Sequence, residues 1–213
     1  YRIMKKGLLF VVAAPSGAGK TSLVKALTER NKDVCVSISH TTRKRRPDEK
    51  NGVNYYFVSQ TEFSEIQRSG GFIESADVFG NAYGTSQKEA DRILSSGNHL
   101  ILEIDWQGAE QIRSRLPEAE SIYILPPSIS ALRERLLGRG QDDNETIQKR
   151  MDEAISEVSH YSEFDHLIIN EKFDLALQQF EEITLKGSKE YQLAQQSVKY
   201  SNLLANLLES KQV

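Results

Sequence analysis

A glycine-rich segment near the start of the chain has the residue types and the spacing needed to bind phosphate. Residues 14–21 read Ala-Pro-Ser-Gly-Ala-Gly-Lys-Thr. A phosphate-binding loop has a glycine, four further residues, and then Gly-Lys-Ser or Gly-Lys-Thr. Gly19, Lys20 and Thr21 match this pattern, whereas Ala14 stands where the first glycine is usual. The segment therefore predicts a protein that binds a nucleoside triphosphate.

Each residue type in this segment has a physical reason. Gly17 and Gly19 let backbone N–H groups turn toward phosphate oxygens without a clash at Cβ. Lys20 would place a positive charge beside the transferred group, and the Thr21 hydroxyl can ligate Mg²⁺. The alternative is a simple glycine-rich turn with Lys20 in solvent. The residues that we expect to bind ATP here are Ala14, Pro15, Ser16, Gly17, Ala18, Gly19, Lys20 and Thr21.

A carboxylate ends a second apolar segment of the chain. Residues 99–105 read His-Leu-Ile-Leu-Glu-Ile-Asp, which is typical of a buried strand that finishes at Asp105. An acidic residue at the carboxyl end of such a strand is placed to hold Mg²⁺ or its water shell. The alternative is that Asp105 caps the following helix. The two roles are compatible, so Thr21 and Asp105 are the candidate metal residues.

A basic cluster provides a second place for phosphate. Arg43 and Arg46 lie three residues apart in the run Arg-Lys-Arg-Arg. Two guanidinium groups at this spacing can converge on one phosphate dianion, and each can bind it in a bidentate manner. The alternatives are a solvated basic patch and an address signal. The net charge of −3 argues against a protein that coats nucleic acid.

The order of apolar segments predicts the elements that position these residues. Apolar runs at 8–14, 99–105, 121–125 and 166–170 alternate with helical patterns, which indicates a parallel α/β sheet flanked by helices. Two stretches do not follow this alternation of strands and helices. We predict a core domain of residues 1–36 and 89–213, a small mixed α/β lobe inserted at 37–88, a helical lid at about 138–150, and a helical tail at about 188–213.

A set of ordered motifs makes the prediction more specific. The motifs fall within residues 37–47, 51–57, 80–85, 103–108, 125–128 and 138–140, and together with the glycine-rich loop they closely resemble guanylate kinase. The resemblance runs from about residue 8 to 170, which is most of the chain. It implies a P-loop enzyme whose inserted lobe binds GMP.

The resemblance also implies which residues bind GMP. The phosphate would be bound by Arg43, Arg46, Tyr55 and Tyr83. Guanine presents two donors, N1–H and the N2 amine, and one carboxylate can accept from both. The base would be bound by Glu74 with the hydroxyls of Ser39 and Thr85, and also by Glu103, where the family usually has aspartate. Without the family, Glu74 would be an ordinary strand glutamate.

On the ATP side, the resemblance places arginines around the triphosphate and the transferred group. These are Arg135, Arg139 and Arg150, which join Lys20 and Arg43 as the expected catalytic residues. The alternative is that they are surface arginines paired with nearby acidic residues. Asn170, at the end of its strand, is expected to touch the adenine.

The implied function is phosphoryl transfer from ATP to GMP by direct in-line displacement, with Mg²⁺ as cofactor, in purine nucleotide recycling. A non-catalytic domain of the same fold that binds a phosphopeptide is the alternative, and a P-loop kinase for another acceptor is a second one.

No apolar run approaches the about 18–20 residues needed to cross a membrane, and Cys35 is the only cysteine. We expect a cytoplasmic protein with no membrane and no nucleic-acid partner. The tail leucines could pair with another subunit or pack on their own core.

Overall fold

A computed structural model of the protein describes residues 6–78, 80–138 and 144–209, without the side chains of 144–146. Residues 139–143 of the predicted lid, which include Arg139, lie outside these ranges. The strands, in chain order, are β1 (Leu9–Ala13), β2 (Val34–Val36), β3 (His40–Thr41), β4 (Tyr56–Phe57), β5 (Phe72–Val78), β6 (Asn81–Ser86), β7 (His99–Glu103), β8 (Glu120–Leu125) and β9 (His166–Ile169).

The helices flank these strands in alternation. The four helices that begin after Ser59, Ser86, Asp105 and Ser128 are capped by those side chains, which accept N–H groups that a helix leaves unpaired at its start. In chain order, the helices are α1 (Lys20–Arg30), α2 (Gln60–Arg68), α3 (Gln87–Ser95), α4 (Trp106–Arg115), α5 (Ile129–Leu137), α6 (Asn144–Val158), a 3-10 turn at Ser159–Glu163, α7 (Phe173–Lys186), α8 (Leu193–Lys199) and α9 (Ser201–Glu209).

The main sheet is parallel and has the strand order β2-β7-β1-β8-β9. All five residues of β1 are buried, as expected of a strand covered on both faces. The predicted α/β sheet flanked by helices is therefore confirmed. The apolar segments predicted β1, β7, β8 and β9 because a strand buried on both faces is largely apolar. The short strand β2 was not predicted.

A second sheet is mixed, with the order β4-β3-β6-β5. β3 pairs in parallel with β4 and antiparallel with β6, and β5 pairs antiparallel with β6. Glu74 on β5 lies opposite Thr85 on β6 in this register. The sheet thus brings two of the predicted guanine-binding residues into direct opposition.

The chain forms two compact units. The first consists of Tyr1–Val11 and Asn31–Ala119, and the second of Val12–Arg30 and Glu120–Val213. In the second unit, an apolar cluster of Leu132, Leu136, Ile147, Met151 and Ala154 holds α5 against α6.

The tail helices belong to the second unit. On α9, Leu204 and Leu207 are buried at 4% and 1% exposure. These two leucines therefore pack within the chain rather than on its surface. In the described ranges, no helix combines the length and the apolar character needed to span a bilayer.

Candidate active site

The segment between β1 and α1 has a backbone that only glycine can adopt at two points. Gly17 and Gly19 have φ angles of 86° and 96°, in the region that favours glycine. A Cβ on Gly19 would lie 2.3 Å from Nδ2 of Asn170, so there is no room for a side chain. The N–H of Ala18 donates to the Pro15 carbonyl at 3.1 Å. The loop thus turns tightly into α1, which begins at Lys20.

Three side chains distant in sequence hold this loop in place. Asn170 is buried, and its Nδ2 donates to the Ala18 carbonyl at 2.8 Å. Arg135 on α5 donates through Nη1 to the same carbonyl at 3.3 Å and through Nη2 to the Asn170 carbonyl at 2.7 Å. Ser16 N–H donates to Glu157 on α6 at 3.3 Å. Arg135 and Asn170, both predicted to touch ATP, therefore contact the loop that would hold the ATP phosphates.

The other residues predicted to bind ATP lie on α1 and α6, apart from Arg139. Lys20 is half-buried at the start of α1, and Thr21 beside it is exposed. Arg150 is half-buried on α6. Arg139 lies outside the described residues. The roles of these four residues in ATP binding remain predictions.

In the first unit, Arg43 lies in a pocket with two tyrosines. Its guanidinium carbon is 5.4 Å from the centre of the Tyr55 ring, and the Tyr55 and Tyr83 rings meet edge to face at 6.0 Å. Burial raises the pKa of Tyr55, and the nearby charge of Glu103 adds to the rise. The structure therefore brings Arg43, Tyr55 and Tyr83 together, with the charge of Glu103 near enough to act on Tyr55. The Arg46 side chain is exposed at the edge of the same loop.

Glu49, which is not among the predicted site residues, completes this pocket. Glu49 accepts from Arg43 Nη2 at 2.6 Å and from the Arg46 backbone N–H at 2.8 Å. The hydrogen bond that Arg43 donates to Glu49 raises the pKa of Arg43. Burial acts to raise the pKa of Glu49, but the hydrogen bonds from Arg43 and Arg46 hold it below the usual value. An acidic residue three positions after Arg46 was the available clue.

The predicted guanine-binding end is dominated by a buried carboxylate. Glu74 is only 2% exposed, and Thr85 opposite it is fully buried. Burial raises the pKa of Glu74 to about 7, and the negative charge of Asp105 contributes to the rise. A Cβ on Gly108, in the first turn of α4, would lie 2.8 Å from Oε2 of Glu74. Ser39 is half-buried in the segment between β2 and β3, and its carbonyl accepts from Tyr56 N–H at 2.9 Å.

Asp105 caps α4, as one of its two predicted roles requires. Oδ1 accepts the Gly108 N–H at 2.9 Å, and Oδ2 accepts from the Gln107 side chain at 3.1 Å. Its role toward a metal remains a prediction. Among the described residues, no group of three or more His, Cys, Asp or Glu side chains is placed to hold a metal ion.

These features define a class of protein. A parallel sheet whose first strand runs through a tight glycine loop into a helix is the nucleotide-binding arrangement of P-loop proteins. The Arg43 pocket and the buried Glu74 add a second set of polar groups, of the kind that recognises a phosphate and a base.

Comparison with known proteins identifies the family. The family model described as guanylate kinase matches residues 6–186. The chain belongs to the guanylate kinase family, which confirms the resemblance seen in the motifs. A guanylate kinase from Pseudomonas fluorescens is 55% identical over 202 residues, which cover 95% of this chain and 97% of that protein. One from Vibrio cholerae is 52% identical over 207 residues, which cover 96% and 99%.

A solved structure agrees with this assignment. The crystal structure of guanylate kinase from Anaplasma phagocytophilum has a TM-score of 0.72 with this chain. The two sequences are 30% identical, and the match covers 94% of this chain and 97% of that one.

Proposed function

We propose that this protein transfers the γ-phosphoryl group of ATP to GMP and so produces ADP and GDP. The observation that carries the proposal is that the first unit contains both a buried carboxylate and an arginine pocket. Glu74 is suited to binding a nucleobase, and Arg43 with Tyr55 and Tyr83 is suited to binding a phosphate group. A nucleoside monophosphate has both of these groups.

The base selectivity follows from the chemistry of Glu74. When ionised, its two oxygens would accept from the N1–H and the N2 amine of guanine. Ser39, Thr85 and Glu103 are assigned to the same base site. Adenine has neither donor, so its binding would leave a buried carboxylate without partners. An unpaired buried acceptor of this kind costs about 1–3 kcal/mol or more, which is enough to reject AMP.

ATP would be bound in the second unit. The loop at residues 14–21 supplies backbone N–H groups to the phosphates, Lys20 adds a positive charge, and the helix dipole of α1 adds to it. Arg135, Arg139 and Arg150 are assigned to the triphosphate and the transferred group. Asn170 is assigned to the adenine edge.

Magnesium fits the oxygen groups available. Mg²⁺ binds few protein ligands besides phosphate oxygens and water. Thr21 offers an exposed hydroxyl beside the loop, and Asp105 offers a carboxylate. When bound with ATP, the ion neutralises charge on the phosphates. The two residues are proposed as its protein contacts, Asp105 either directly or through water.

The transfer itself needs positioning and charge neutralisation rather than a covalent intermediate. Arg43 and Arg46 hold the acceptor phosphate, whose oxygen attacks the γ-phosphorus as the bond to ADP breaks. Lys20 and the lid arginines stabilise the charge on the transferred group. Closure of the inserted lobe (37–88) and of the lid (about 138–150) would exclude water, which otherwise would accept the phosphoryl group.

The alternative of a non-catalytic phosphopeptide-binding domain is not favoured. Such a domain has no need of Lys20, Thr21 or a braced glycine loop, and all three are present here. The partners proposed are therefore ATP and GMP, and the proposed location is the cytoplasm.

Ligand-induced stabilisation tests the two binding sites separately. GMP and ATP with Mg²⁺ should each raise the melting temperature of the wild-type protein, and AMP at the same concentration should raise it far less than GMP. In Glu74→Ala the shift with GMP should be lost while the shift with ATP remains. Equal loss of both shifts would contradict the assignment of Glu74 to the base.

A further inference from the structure

Glu49 joins the two arginine positions of the phosphate pocket through one carboxylate. Oε1 accepts from Nη2 of Arg43 at 2.6 Å, and Oε2 accepts from the backbone N–H of Arg46 at 2.8 Å. The Glu49 and Arg43 side chains are 15% and 17% exposed. Because the pair is mostly shielded from water, its geometry is better defined than that of a surface ion pair.

The position of Glu49 is set by its own backbone. Its N–H donates to the Arg46 carbonyl at 3.1 Å, while its carboxylate accepts the Arg46 N–H. These reciprocal bonds close residues 46–49 into a turn that does not involve Arg43. Glu49 is therefore a fixed point to which the Arg43 side chain is attached.

Arg43 is held on other sides as well. Its Nη1 donates to the Lys44 carbonyl at 2.8 Å, and its guanidinium carbon is 5.4 Å and 5.8 Å from the Tyr55 and Phe57 ring centres. A guanidinium has five N–H donors in a fixed plane. Its contacts with Glu49 and Lys44 fix that plane and still leave donors for a phosphate.

We propose that Glu49 is a positioning residue for the acceptor phosphate, an inference that rests on the proposed function. It fixes Arg43 and the Arg46 backbone in the geometry that binds GMP, without touching the phosphate. A carboxylate beside an arginine could instead compete with the phosphate for Arg43. The turn argues against competition, because one Glu49 oxygen is committed to a backbone N–H of its own loop.

Calorimetric titration with GMP and with guanosine separates the phosphate contribution from that of the base. Hydrogen bonds to charged groups contribute about 1.5–3 kcal/mol, so Glu49→Gln should weaken GMP binding by about tenfold or more. The affinity for guanosine should stay the same. In the assay the KM for GMP should rise by the same factor, with kcat and the KM for ATP nearly unchanged. Glu65→Gln, an exposed position on α2 of the same lobe, is the matched control.

The outcomes are distinct. Tighter GMP binding by Glu49→Gln would show competition and overturn the inference, as would an equal loss of guanosine affinity. Glu49→Asp keeps the charge on a shorter side chain and should fall between wild type and Glu49→Gln. If the wild-type protein binds no GMP, the proposed function fails and takes this inference with it. If it does bind GMP and Glu49→Gln binds it equally well, only this inference fails.

Discussion

The carboxylate of Glu74 packs against the backbone of Gly108, so closely that a Cβ at residue 108 would lie 2.8 Å from Oε2. Gly108 belongs to the first turn of α4, and its N–H is bound by Asp105. The glycine thus leaves the space that a buried carboxylate needs beside a helix N-terminus. Under the proposed function, the selectivity for the base depends on the lack of a side chain at Gly108 as well as on Glu74 itself.

Gly108→Ala should therefore impair GMP use selectively. The added methyl group would push the Glu74 carboxylate out of position, and we expect the KM for GMP to rise by about tenfold, since overpacking of this kind costs about 1–3 kcal/mol. The better helix propensity of alanine offsets part of the loss in stability. Steady-state kinetics with GMP and ATP varied in turn measures this, and Glu110→Ala on the same helix is the control. An unchanged KM for GMP would show that Glu74 does not read the base from this position.

Burial of Glu74 makes folding stability depend on pH. Its folded-state pKa of about 7 lies above the ordinary 4.5, so the folded protein favours the protonated form. The stability from this group is fully present below pH 4.5 and is lost as the pH rises through about 7. Between pH 5 and pH 8 the wild type should lose about 2–3 kcal/mol relative to Glu74→Gln, which does not titrate there. Urea unfolding of both proteins at the two pH values measures the difference, and a constant gap would refute the shifted pKa.

Asn170→Ala tests whether Asn170 serves the loop or the adenine. The variant loses the hydrogen bond from Asn170 to the Ala18 carbonyl. Without this bond, ATP binding should weaken by about fivefold to thirtyfold. If the loss acts through the loop, inorganic tripolyphosphate should be weakened as much as ATP. If only ATP is affected, the residue contacts the base. Glu171→Ala, an exposed neighbour, is the control, and GMP affinity should stay the same in both variants.

Asp105→Asn separates helix capping from a role toward Mg²⁺. Asparagine caps helices about as well as aspartate, so the melting temperature should change little, whereas Asp105→Ala should lose about 1 kcal/mol of stability. A carboxylate near the metal predicts a lower kcat and a higher Mg²⁺ requirement for Asp105→Asn. Titration of activity with Mg²⁺ checks this. Wild-type Mg²⁺ dependence in Asp105→Asn would mean that Asp105 is a cap alone.

The sheet and the loop could be predicted from sequence because their determinants are local. The continuous apolar run of β1, the glycines after it and the helical spacing of α1 all lie within about twenty residues. The cap at Asp105 was likewise one of two roles expected for a residue between a strand and a helix.

Contacts across long sequence distances could not be predicted in this way. The bond from Asn170 to Ala18 spans 152 positions, and the bond from Arg135 to Ala18 spans 117. Glu74 looks like an ordinary strand glutamate until β6 and α4 bury it, so only the family resemblance indicated it. Glu49 was missed because its role depends on the fold of the loop from Arg43 to Glu49 rather than on a motif.

In the proposed reaction, GMP accepts a phosphoryl group from ATP. The most direct test is a coupled assay that follows ADP formation from ATP and Mg²⁺. GMP, AMP or UMP serves as the acceptor, and the diphosphate product is detected directly. We predict rapid ADP and GDP formation with GMP, slow turnover with AMP and UMP, and little ATP hydrolysis without an acceptor. Absence of GDP with GMP, or faster turnover with AMP or UMP, would contradict the account.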